Sequence, residues 1–226
     1  MVISLDPLFI TSVMTISATG ALSPGPLSVI TLALGARGGW RSGFQISLGH
    51  AIFELPYVYL LITLYGSVIN FLELEIVKYS LVVVVMVFNT FFAYLLISDA
   101  LNIGNERGGT SGINVKFSKI KQPILVGLLL TGLNPFFLIW WATVGMPIID
   151  GVIRYGVIST LPVMYLSHVW LDFMWLSFLA HTSSKGVRHL STKGYRLLLI
   201  ILAMMLILFA LNTFLKSFFN ISLIPL

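Results

Sequence analysis

The sequence predicts an all-α integral membrane protein: six transmembrane helices, arranged as two inverted three-helix repeats. Three observations predict it: a scarcity of charge, six long apolar runs, and a matched pattern of interruptions in the two halves. Only 9% of the 226 residues are charged and 58% are hydrophobic, with a mean hydropathy of +0.99. A water-facing domain carries about 25% charge, so this chain lacks the polar surface to cover a soluble ball. Six spans of roughly 20 residues or more use nearly all of its length, leaving no stretch for a catalytic or nucleic-acid-binding domain. The pI near 9.6 does not argue for nucleic acid, because the basic residues sit between apolar runs and read as topology signals. There is no cysteine, which excludes disulfides, thiolate metal sites and cysteine nucleophiles.

The apolar runs fall at residues 7–35, 41–69, 77–99, 122–149, 153–181 and 196–219. No Lys or Arg precedes the first run, so it reads as a retained helix rather than a cleaved leader. The third and sixth runs are uninterrupted and read as scaffold. Proline, glycine or ionisable residues break the other four, which read as working parts. Ten of the 13 Lys and Arg residues lie in the connectors after runs one, three and five. By the positive-inside rule those connectors are cytoplasmic and both termini are outside. The connector at 102–121 is long and rich in glycine (Gly104, Gly108, Gly109, Gly112), so it reads as a mobile tether. It divides the chain into repeats at 1–101 and 122–226. With three spans each, the second repeat inserts upside down relative to the first, a plan common in secondary transporters.

Two features recur in both halves. Run one is broken at Ser23-Pro24-Gly25-Pro26 and run four at Thr131-Gly132-Leu133-Asn134-Pro135. Proline removes a backbone donor and clashes one turn back, and carbonyls freed inside a bilayer need protein or a wet cavity as partner. One such break is an ordinary proline kink; two at corresponding positions point to a binding cavity. Run two carries His50 and Glu54, and run five His168 and Asp172. In each pair the histidine and carboxylate are four residues apart, on one helix face, near mid-membrane by residue count. A charge there costs about 2.5–3.5 kcal/mol on insertion scales, and such residues normally meet a cavity, a partner or a proton path. The alternative is that each histidine pairs with its own carboxylate to tie helices together. Asn89 reads as a cross-helix bond, Trp140, Trp141, Trp170 and Trp175 as packing or lipid-facing aromatics, and Gly127, Gly132, Gly145 and Gly156 as sites of close helix packing.

These residues carry a resemblance to the LysE-type translocator family of amino-acid exporters, which includes lysine, threonine and homoserine efflux proteins. The resemblance rests on Ser23-Pro24-Gly25-Pro26, the glycines at 35, 38, 39 and 43, Gly49, the stretch from Gly127 to Asn134-Pro135, and the segment from His168 to Trp175. With the six runs, it covers nearly the whole chain. It implies export of amino acids or related small metabolites across the cytoplasmic membrane of a prokaryote, driven by the membrane potential or by proton antiport. The backbone at Pro24, Gly25, Pro26, Asn134 and Pro135 would hold the cargo's carboxylate and ammonium groups. From their position in the spans, and not from the resemblance, Glu54 and Asp172, with His50 and His168, would be ammonium partners or proton-coupling groups.

The rival cargo is a divalent metal ion held by the His50/Glu54 and His168/Asp172 pairs. An intramembrane enzyme finds no support, since His-Glu-x-x-His, Gly-x-Ser-x-Gly and cysteine are all absent. Without a Walker A pattern the chain would not use ATP itself, and nothing calls for a cofactor. The expected partners are a small-molecule cargo and the lipid bilayer, not nucleic acid, and a chain this small is compatible with a homodimer.

Overall fold

A computed structural model of the chain describes residues 7–23, 25–102, 122–186, 192–221 and 223. Pro24 and, apart from Asn102, the expected tether at 102–121 lie outside the described residues. Among the described residues there are ten helices and no strand: α1 (Pro7–Ala21), α2 (Pro26–Gly38), α3 (Trp40–Thr63), α4 (Tyr65–Leu72), α5 (Glu75–Asn102), α6 (Pro123–Gly132), α7 (Pro135–Ala142), α8 (Met146–Tyr155), α9 (Val157–Gly186) and α10 (Thr192–Phe219). Four stretches, within α3, α5, α9 and α10, are each long and apolar enough to cross a membrane. The pairs α1/α2 and α6/α7 pass the same test together, bent by 72° and 60°, which raises the number of candidate spans to as many as six.

The bends follow from the prolines. Pro26 and Pro135 stand at the first positions of α2 and α7, where the missing N–H costs nothing and the fixed φ suits helix entry. Continuing the preceding helix through either residue is disfavoured, because the proline ring clashes with the carbonyl one turn back, although α3 and α9 absorb that cost at Pro56 and Pro162. Asn134 caps α7, its side chain accepting a hydrogen bond from Phe136 N at 3.1 Å.

Two short helices depart from the sequence reading. The second run was expected to continue to residue 69, yet α3 stops at Thr63 and α4 follows with no buried residue. The fourth run was expected to reach residue 149, but it ends at Ala142, and α8 is a separate helix. Its reason lies in its two faces. Ile148, Ile149 and Val152 are buried, whereas Asp150 and Arg154 form an ion pair at 2.7 Å with Arg154 largely exposed. Tyr65 of α4 donates to Asp150 Oδ1 at 3.0 Å, tying α4 to α8. Gly156 turns the chain from α8 into α9 at φ +94°, a backbone conformation that glycine adopts without penalty. It therefore serves as a turn residue, not as the close-packing site expected of it.

Helix α3 packs against α6 and α9, α2 against α9, and α5 along α10. In a bilayer such contacts depend on close van der Waals fit, which small residues permit. The α3–α6 crossing shows the point: a Cβ on Gly49 would strike the Ile124 carbonyl, and one on Gly127 the Ile46 carbonyl. Val29, Phe92, Leu96, Val126, Leu130, Leu199 and Leu206 form one apolar cluster from α2, α5, α6 and α10. Val13, Val58, Leu61, Trp141, Ile149, Val152 and Met164 form a second, around α8. Along α3 and α9 the polar residues fall beside this second cluster. Asn89 bonds within its own helix, to the Val85 carbonyl at 3.0 Å, and not across helices as expected.

Candidate functional site

Helices α3 and α9 each present a histidine and a carboxylate one turn apart, and they face each other. His50, Glu54, His168 and Asp172 are all buried, Glu54 completely. The two pairs are not independent. His168 Nε2 lies 3.0 Å from Glu54 Oε1 on α3, closer than the 3.6 Å to Asp172 Oδ2 on its own helix. His50 Nε2 lies 3.2 Å from the same Glu54 oxygen and 3.9 Å from Asp172 Oδ2. Glu54 Oε1 is thus the centre of the cluster, and the expectation of two self-contained helix-face pairs gives way to one network across α3 and α9. Ser47 reinforces the junction, donating to the Asp172 carbonyl at 3.1 Å.

Three further side chains complete the network, and none was singled out as a site residue from sequence. Trp141 Nε1 donates to Glu54 Oε1 at 2.9 Å. Thr131 Oγ1 lies 2.9 Å from His50 Nδ1, and Ser17 Oγ 2.7 Å from His168 Nδ1. These come from α7, α6 and α1, so both bent pairs reach the cluster. Trp141 had been read as a packing or lipid-facing aromatic. Its ring does pack, 4.8 Å from the His168 ring centroid and 5.3 Å from that of Trp140, but its indole N–H is committed to the buried carboxylate. A donor pointing from one apolar run to an acid in another leaves no periodic signal in either run. Thr131 alone could have been suspected, since it lies in the motif that breaks the fourth run.

A cavity of about 70 Å³ opens beside the cluster, well above the ~10–15 Å³ that admits a water. Gly25, His50, Glu54, Asn134, His168 and Asp172 line it, together with Ser23, Ser28, Phe136, Phe137, Trp140 and Trp141. Six of the nine residues expected at the site are therefore gathered on one cavity. Pro26 and Pro135 open the helices beside it without lining it, and Pro24 lies outside the described residues. The first turns of α2 and α7 line this space, and Leu27, Ser28 and Phe137 hold the first-turn amides that neither helix uses, since Pro26 and Pro135 have no N–H and Phe136 N is capped by Asn134. No Lys or Arg stands among the lining residues. Glu54 Oε2 and Asp172 Oδ2 are buried without a hydrogen-bond partner, and leaving a buried acceptor unsatisfied costs about 1–3 kcal/mol. The site can therefore accept donors, such as an ammonium group or a proton, on two carboxylate oxygens, while helix amides wait nearby for an anion. His50, Glu54 and Asp172 also each offer a donor atom within 4.8 Å of one another, a spacing that a dication could use.

The chain belongs to the LysE type translocator family, whose profile matches residues 18–217. It is accordingly a multi-pass membrane transport protein of an efflux family. Among curated proteins and among solved structures there is no match.

Proposed function

From membership of the LysE type translocators we propose that this protein exports amino acids or related small metabolites across the cytoplasmic membrane by proton- or potential-coupled alternating access. The single observation that carries the reading is the joining of His50, Glu54, His168 and Asp172 into one buried network on a cavity between two bent helix pairs. Broken helices that meet at a polar site are the form such sites take in carriers with inverted repeats. We accordingly read residues 1–101 and 122–226 as the two repeats, giving six spans with both termini outside, as the basic connectors indicate.

In this reading the cargo's carboxylate meets the first-turn amides of α2 and α7, around Gly25, Pro26, Asn134 and Pro135. Its ammonium group meets the unpartnered oxygens of Asp172 and Glu54. Protons and cargo compete for these carboxylates, and histidine, with an unperturbed pKa near 6.5, can carry charge in and out over the physiological range. That competition is sufficient for antiport. All of these groups come from one chain, so the reading does not require a homodimer. Divalent-cation export is supported by the spacing of His50, Glu54 and Asp172. It is disfavoured because the family resemblance is to amino-acid exporters.

The test is counterflow in proteoliposomes loaded with unlabelled amino acids, comparing wild type with Glu54→Gln and Asp172→Asn. Wild type should accumulate label from an amino-acid pool while empty vesicles do not, and both variants should lose accumulation or its pH dependence. Normal transport with unchanged pH dependence in both variants would refute the residue assignment. Absence of counterflow, with a divalent cation accumulating under a proton gradient, would favour the metal reading.

A further inference from the structure

The hydrogen bonds around the two imidazoles are not symmetric, and Thr131 makes the difference. The Thr131 hydroxyl donates to the Gly127 carbonyl at 2.6 Å and lies 2.9 Å from His50 Nδ1. A hydroxyl has one hydrogen to give. With that hydrogen on Gly127, only oxygen lone pairs face the imidazole, so His50 Nδ1 must carry a hydrogen and donate it. His50 Nε2 then meets Glu54 Oε1 at 3.2 Å, and this contact is a hydrogen bond only if a further proton sits on one of the two atoms. His168 is under no such constraint. Its Nδ1 faces Ser17 at 2.7 Å, and among the described residues the Ser17 hydroxyl makes no bond back to its own helix. Ser17 can therefore donate to Nδ1, leaving a neutral His168 to donate from Nε2 to Glu54 at 3.0 Å.

We propose that Thr131 is a positioning residue that holds His50 protonated at Nδ1, so that one exchangeable proton resides between His50 Nε2 and Glu54 Oε1, and that this is the proton exchanged for cargo. The last clause rests on the export reading; the location of the proton does not. The step is proton transfer alone: the pair takes up one proton from one side of the membrane and releases one to the other, with no bond made to the cargo. The titratable groups facing the pair are Asp172, His168 and Tyr165, all from α9, the Tyr165 hydroxyl beside Glu54 and donating to the Ala51 carbonyl at 3.1 Å. Helices α1, α6 and α7 contribute Ser17, Thr131 and Trp141, which do not titrate, and no Lys or Arg lines the cavity.

The experiment is ¹⁵N NMR of histidine-labelled protein in lipid nanodiscs, with counterflow measured in parallel across about pH 5–8, where histidine changes charge. The His50 signals are those missing from His50→Gln. Wild type and Thr131→Ser should show His50 protonated at Nδ1, with a second proton shared at Nε2. Thr131→Val, and Thr131→Ala if valine does not fold, should lose that signature and the pH response of transport. Ser17→Ala should keep the His50 signature and the midpoint of the pH profile, whatever its rate. A wild-type His50 without hydrogen at Nδ1 overturns the proposal. So does a Thr131→Val or Thr131→Ala protein that keeps both signature and profile, or a Ser17→Ala protein that loses them. If the NMR results hold while no amino acid is transported, the proton assignment stands and the export reading fails.

Discussion

Replacing Trp141 with Phe should destabilise the protein by removing one hydrogen bond while leaving most of the packing. The indole N–H is 2.9 Å from Glu54 Oε1, and Trp141 is completely buried. Indole can only donate, so phenylalanine offers Glu54 nothing in exchange. A hydrogen bond to a charged group contributes about 1.5–3 kcal/mol, against ~0.5–1.5 kcal/mol for a neutral one. Trp140→Phe removes the same atoms from the adjacent ring, whose indole N–H does not bond Glu54, and so accounts for the lost volume. The excess cost of Trp141→Phe over Trp140→Phe should therefore be about 1.5–3 kcal/mol. In Glu54→Gln the amide oxygen still accepts, but without the charge. A double-mutant cycle between the two positions should then give a coupling of about 1 kcal/mol, the difference between charged and neutral bonds. The assay is reversible unfolding in mixed micelles, followed by helical circular dichroism. Coupling within the ~0.3–0.5 kcal/mol scatter of independent sites, or equal costs for the two tryptophans, would show that the indole is packing alone.

Gly49→Ala should cost at least the ~1–3 kcal/mol of an overpacked core, because its Cβ meets the Ile124 carbonyl, a backbone atom that cannot move aside. Gly66→Ala on α4, where a Cβ meets nothing within 4 Å, should lose no stability, and equal thermal shifts for the two would contradict the crossing. Asn134→Ala should cost about 0.5–2 kcal/mol through loss of the α7 cap, whereas Asn134→Asp keeps an acceptor for Phe136 N. Thermal unfolding separates those outcomes, and an alanine variant as stable as wild type would mean the cap does not hold the bend.

How much was legible in advance can be argued residue by residue. The His50/Glu54 and His168/Asp172 pairs announced themselves, because an ionisable residue in an apolar run is costly wherever it lies. Their i, i+4 spacing placed each pair on one helix face, and that much is local geometry. What spacing could not show is that His168 bonds Glu54 more closely than it approaches Asp172, since that depends on how α3 and α9 cross. The prolines at 26 and 135 marked the bends by their own chemistry. The amphipathic α8 was missed because it straddles the end of the fourth run and the start of the fifth, where Ile148, Ile149 and Val152 read as span while Asp150 and Arg154 pair outward.

By itself the sequence determined that the chain lies in a membrane, where the apolar runs are and where they break, because burial in lipid and proline geometry act through each residue and its near neighbours. It also determined the family, through motifs spread along most of its length. Only the tertiary structure decided that Glu54 Oε1, not either helix-face pair, is the centre of the site, and that Trp141, Thr131 and Ser17 complete it. Those contacts join residues between 81 and 151 positions apart, and the Thr131–His50 contact lies at the α3–α6 crossing, where Gly49 and Gly127 let the two backbones approach closely. Hydrogen bonds are selective over tenths of an ångström, whereas a pattern of apolar residues is satisfied by many packings.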